Sequence, residues 1–134
     1  MTTSEERTLE QAGTHVWQPY FLYSLSVSKR QGPHKQTYIP ADEFKSCLVE
    51  LKDSIKGSLG DKTRTDVMDI QSGPGESGPM VLVLVHVPRD RSQLADQLLG
   101  KVSTAWSARF DQDISVMRMA VDVCIVRGTK TAAV

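Results

Sequence analysis

The sequence predicts a single α/β (α+β) domain in which two helices cover one face of an antiparallel sheet. Three observations carry this expectation. Apolar residues recur at steps of three and four from Phe44 to Leu59, and again from Leu94 to Trp106, the mark of two amphipathic helices. Segments with strand patterning lie before, between and after them, in the order β-α-β-β-α-β. With 134 residues, the chain is long enough for one core that buries about two thirds of the surface exposed when unfolded.

Each element has its own signal. Residues 1–14 are polar and aperiodic and are expected to form a disordered tail, leaving residues 15–134 as the folded domain. From Tyr20 to Val27, the residues Phe21, Tyr23, Leu25 and Val27 alternate with partners that turn polar at Ser24 and Ser26, the period of a half-buried strand. Lys29 to Lys35, interrupted by Gly32-Pro33, reads as a solvated loop. Pro40 opens the first helix, with Asp42 and Glu43 in the first turn, where the helix dipole favours negative charge. Its stripe is Phe44, Cys47, Leu48, Leu51, Ile55 and Leu59, so Phe44 and Leu48 are expected in the core; Gly57 and Gly60 stop the helix.

Val67 to Ile70 is a short second strand, and residues 71–79 a Gly- and Pro-rich loop. The valine-rich run Met80 to Val87 suits a strand central in the sheet. Asp90, with Gln93 three residues on, is placed to cap the second helix, whose buried face should hold Leu94, Leu98, Val102 and Trp106. Ile114 to Val126 makes the last strand, with one wholly apolar parity from Met117 to Ile125; its length predicts a bend or bulge. This order is that of a ferredoxin-like sandwich, whose open sheet face is the place to look for a partner.

Composition narrows the function. Sixteen Lys and Arg balance sixteen Asp and Glu, which argues against a free-standing nucleic-acid binder and for a role within a complex. The acidic excess of the first twelve residues leaves the rest of the chain at net +2. Cys47 and Cys124 sit among apolar neighbours, as small hydrophobes in a reducing compartment. The N-terminus has no apolar signal core, and the longest apolar run, Met80 to Val85, is too short to cross a bilayer, so the chain is expected to be intracellular, with no membrane contact.

Chemical motifs are weak. Residues 73–78 match G-x-G-x-x-G literally, but they lead into a strand, whereas a dinucleotide fingerprint leads into a helix. His15, His34 and His86 are scattered without converging ligands, so no metal and no cofactor is expected. His86 reads as a packed or hydrogen-bonded residue, not a general base. Ser72, Ser77 and Ser92 lack a nucleophile-elbow context, and Asp111 and Asp113 read as solvated acids in a loop. No catalytic residue is assigned. Basic residues fall in three places: Lys29, Arg30 and Lys35; Arg89 and Arg91; and Arg127 with Lys130. All could contact phosphate, and they are the candidate weak RNA-binding residues.

Five segments together resemble a known family. They are Trp17-Gln18-Pro19-Tyr20-Phe21, Phe44-Lys45 with Leu48, Gly57 to Gly60, His86-Val87-Pro88-Arg89-Asp90-Arg91, and Val126-Arg127-Gly128-Thr129. In order and spacing they are similar to the small α/β protein subunits of eukaryotic ribonuclease P and ribonuclease MRP, most closely the small fungal member. The resemblance implies a non-catalytic subunit of the nucleus and nucleolus. It would pair as a heterodimer with a related α/β subunit and stabilise the catalytic RNA during precursor tRNA 5′-end and ribosomal RNA processing. The near-zero charge departs from the more basic relatives and points to protein contact as the main duty. The composition also accommodates a small scaffold or adaptor domain dimerising in an unrelated complex.

Overall fold

The structure is a computed structural model and describes residues 16–32, 34, 37–70, 79–126 and 128. The tail over residues 1–14, the loop over residues 71–78, and Lys35, Arg127 and Lys130 lie outside the described residues. The described elements are β1 (Trp17–Ser28), β2 (Arg30–Gln31), β3 (Thr37–Tyr38), α1 (Ala41–Leu59), β4 (Arg64–Ile70), β5 (Met80–Pro88), a tight helical turn at Arg89–Arg91, α2 (Ser92–Arg109) and β6 (Ser115–Cys124).

Four strands form one sheet in the order β4-β5-β1-β6, antiparallel throughout. β1 is therefore interior, paired to β5 from Tyr20 to Ser28 and to β6 from Trp17 to Ser26. Strand parity places Tyr23, Leu25 and Val27 beside Val85, Val83 and Val81, and all six are buried. These side chains join Cys47, Leu51, Ile55 and Leu59 of α1 and Ala95, Leu99 and Trp106 of α2 in a single core. Phe44 stacks on Phe110 and tilts against Trp106, closing the core between the helices.

Several expectations are corrected. The solvated loop over residues 29–35 contains half of a short ribbon, Arg30–Gln31 paired with Thr37–Tyr38. It forms because the Ile39 amide donates to the Lys29 carbonyl and the Gly32 amide to the Phe110 carbonyl, tying the crossover to the end of β1. Phe44 and Leu48 are only half-buried, at the rim of the core, with Cys47 and Leu51 at its centre. Gly57 is inside α1. Gly60, at φ 88°, ends it and donates its amide to the Lys56 carbonyl, in a conformation glycine adopts without a Cβ clash.

The second helix is turned by about one residue from its expected orientation. Its buried positions are Ala95, Leu99, Ser103 and Trp106, and Leu94 is 46% exposed. Small Ala95 lets the helix approach the sheet, and the Ser103 hydroxyl can be buried because it donates to the Leu99 carbonyl at 2.7 Å. Asp90 does not cap this helix. Pro88 ends β5 directly in the tight turn, which takes up Asp90, and Arg91 stands at the N-cap without a side-chain cap bond. β6 is shorter than expected and unbulged: its register with β1 runs unbroken from Trp17 opposite Cys124 to Ser26 opposite Ser115.

The packing generates one stability prediction. Leu51→Ala should lower stability by about 2–5 kcal/mol, and Leu48→Ala by clearly less, because only Leu51 is enclosed. Exposed Lys45→Ala should stay within about 0.5 kcal/mol, all three read by denaturant unfolding.

Candidate functional site

Strand parity fixes what each side of the sheet presents. With Tyr23, Leu25 and the odd-numbered valines of β5 turned to the helices, the alternate residues Leu22, Ser24, Leu82, Leu84 and His86 face away from them. Register then assigns the edge strands. Ser24 lies opposite Met117 and Leu22 opposite Met119, so the apolar parity of β6 lies on the face without helices. Met68 of β4 reaches the same face opposite Leu82. Met68, Met117 and Met119 are 50%, 59% and 51% exposed. The open face is thus a band of methionine, leucine and valine, with polar exceptions at Ser24, Ser26, Arg64, Asp66 and His86. His86 is half-buried there, as a packed residue, and its Nδ1 has no hydrogen-bond partner among the described residues.

The candidate cations fall at opposite ends of the sheet. Lys29 and Arg30 follow the end of β1, whereas Arg89 and Arg91 follow Pro88, which pairs with Tyr20 near its start. Eight residues of strand separate them, roughly 26 Å, too far to form one patch. Lys29 pairs with Asp69 at 2.8 Å. Arg30 stacks on Tyr38 at 5.2 Å and donates to its hydroxyl at 3.2 Å. A cleft of ≈ 600 Å³ opens beside Lys29, lined by Tyr38, Phe44, Leu48, Val67 and Asp69.

Arg89 is also committed to the fold. It lies over the Phe21 ring at 5.5 Å, donates to the carbonyls of Tyr20 and Val121 at 3.2 Å each, and approaches Asp122 at 3.8 Å. Arg91 is exposed, on a second cleft of ≈ 600 Å³ that Tyr20, Leu59, Lys62 and Pro88 share. Asp111 and Asp113 are exposed in the loop before β6. Between them Gln112 binds both sides of the β1 exit, accepting from the Ser28 amide at 2.8 Å and donating to the Ser28 and Arg30 carbonyls at 2.9 and 3.2 Å.

A polar network not foreseen from the sequence joins β1, α2 and β6. The Tyr23 hydroxyl donates to Asp96 Oδ1 at 2.6 Å and lies 3.2 Å from the Ser92 carbonyl. Arg118 Nη1 donates to both Asp96 oxygens, at 3.1 and 2.9 Å, and its guanidinium covers the Phe21 ring at 5.0 Å, alongside Arg89. Burial, then the hydrogen bond and charge of Asp96, pushes the Tyr23 phenol up from 10.0 to about 12. Burial likewise pushes the Cys47 thiol up, away from reactive thiolate. The only sequence signal for the network was a tyrosine on a core parity, where a buried hydroxyl needs a partner.

Among the described residues, no group of three or more His, Cys, Asp and Glu could hold a metal ion, and no helix is long and apolar enough to cross a membrane. Comparison with protein-family models, curated proteins and solved structures finds no match for the chain.

The raised phenol has a pH signature. Because the folded pKa lies above the unfolded one, the stability contributed by Tyr23 is whole below pH 10 and is lost as pH rises through about 12. Ultraviolet titration should show a late tyrosine ionisation near pH 12 that is absent from Tyr23→Phe, and that variant should be less stable at neutral pH by about 1–2 kcal/mol.

Proposed function

We propose that this chain is a non-catalytic subunit of the ribonuclease P and MRP ribonucleoproteins of the nucleus and nucleolus. In this reading it is a ferredoxin-like domain that pairs with a related α/β subunit and so supports the catalytic RNA in precursor tRNA and ribosomal RNA processing. The observation that carries the pairing is the open sheet face, where Met68, Met117 and Met119 stand exposed around half-buried leucines. Apolar area of this kind, rimmed by polar residues, marks a protein contact, and flexible methionines suit it to a partner's contours. The strand order β4-β5-β1-β6, antiparallel throughout, and the shared helix-facing core support the ferredoxin-like reading. The family assignment rests on the segment resemblance, which the ordered motifs along the chain support.

RNA contact takes second place. Lys29, Arg30 and Arg89 already serve intramolecular partners, which leaves Arg91, with Lys35, Arg127 and Lys130 outside the described residues, as supplementary phosphate contacts. The isolated chain should therefore bind RNA weakly, with strong salt dependence.

Affinity purification of the tagged chain, with identification of bound proteins and RNA, tests this reading. Recovery of the ribonuclease P or MRP RNA with a small α/β protein is expected; recovery of an unrelated complex overturns the family assignment. Replacing Met117 and Met119 with Glu should abolish co-purification of the protein partner and leave the melting temperature nearly unchanged, since both side chains are exposed. Retention of the partner by that variant would move the contact away from the open face.

A further inference from the structure

The two edges of the sheet are built differently. β4, at one edge, carries Arg64, Asp66 and Asp69 along seven residues, charges that discourage another strand from pairing there. β6, at the other, is ten residues long, contains no Lys or Pro, and is exposed from Ser115 to Ala120. Among the described residues, no strand pairs with its outer side. Such an edge is a template for strand addition, because its unpaired amides and carbonyls point outward at every second residue.

Its side chains indicate which strand fits. The helix-side parity of β6 is Val116, Arg118, Ala120, Asp122 and Cys124, with one cation and one anion placed symmetrically about Ala120. An antiparallel copy of the same strand must keep parity, so that apolar residues meet apolar residues on the open face. Of the parity-keeping registers, the one centred on Ala120 sets Arg118 opposite Asp122 of the second copy, and Asp122 opposite its Arg118. It also sets Met119 opposite Val121 and Met117 opposite Val123. Arg118 is half-exposed, shared between Asp96 and the Phe21 ring, and Asp122 is exposed with the 3.8 Å approach of Arg89, so the second contact would be shared with these partners and would add charge complementarity across the edge.

We propose that β6 pairs antiparallel with β6 of a second copy, centred on Ala120, to give a two-fold dimer with an eight-stranded sheet. The two symmetric ion pairs select the register, and the main-chain bonds supply most of the affinity. The dimer does not depend on the identity of the heteropartner, because its edge stays accessible when the open face is covered.

Sedimentation velocity of the full chain over a concentration series tests the proposal. The wild type should form a concentration-dependent dimer. Arg118→Glu and Asp122→Arg each place like charges opposite one another twice and should weaken self-association by roughly tenfold or more. An equal mixture of the two variants restores both opposite-charge pairs and should recover the dimer as a mixed species. Both positions lie on the helix side, away from the open face, so Arg118→Glu and Asp122→Arg leave the surface proposed for the heteropartner intact, and co-purification of that partner with them tells the two contacts apart. Arg118→Glu also breaks the contact with Asp96; should it fail to fold, Asp122→Arg alone decides, since a wild-type-like dimer there overturns the register. A wild type that stays monomeric at its highest soluble concentration overturns the dimer. So does a mixture that fails to recover, or a monomer that takes up an extended segment of another protein along β6.

Discussion

Two helices can cover one face of a four-stranded sheet and no more, and most features of this protein follow from that limit. The covered face needs a dense layer of β-branched and aromatic side chains, which Tyr23, Leu25, Val27 and the four odd-numbered valines of β5 provide at nearly zero exposure. The other face has no such layer of its own. Leu22, Leu82 and Leu84 are screened in part by their neighbours, but the methionines of β4 and β6 are left in solvent. Antiparallel strands with one solvated face more often present polar residues at such places.

The same limit explains the use of the cations. Arg89 and Arg118 both lie over the half-buried Phe21 ring, at 5.5 and 5.0 Å from its centre, where the covered layer ends. They close that edge with their flat guanidinium groups and, through the Tyr20 and Val121 carbonyls and Asp96, join two strands and a helix. Positive charge is here a structural material, consistent with a chain whose acids and bases balance.

What could be read from the sequence was local periodicity. The alternation from Phe21 to Val27 gave a correct strand whose inward parity holds from Tyr23 on; the valine run of β5 gave a correct strand, but an unbroken apolar run does not say which of its residues turn inward. The stripe of α1 was found, and its Cys47, Leu51, Ile55 and Leu59 are the buried residues of the helix; Phe44 and Leu48, expected in the core with them, are half-buried, because periodicity marks a face without saying which of its margins is enclosed. β6 shows the limit most clearly. Its apolar parity was plain, but parity states only that residues share a side; the pairing of Ser24 with Met117 and of Tyr23 with Arg118 chose which side, and that register is a tertiary fact. The ribbon of β2 and β3, the rotation of α2, and the anchoring by Gln112 depend likewise on contacts between residues distant in sequence. The candidate cations could be listed by type, but their intramolecular partners could not.

The interior position of β1 also sets an order of events during synthesis. This strand is made early, yet its partner on one side is β6, roughly a hundred residues later in the chain. At about 5–20 residues per second the ribosome needs roughly 5–20 s to deliver that partner, long after any local collapse. During this interval β1 can at best be paired along one flank, by β5, and its other row of amides and carbonyls, from Trp17 to Ser26, waits unpaired. Until β6 has emerged the sheet can form only as β4-β5-β1, with β1 as a temporary edge.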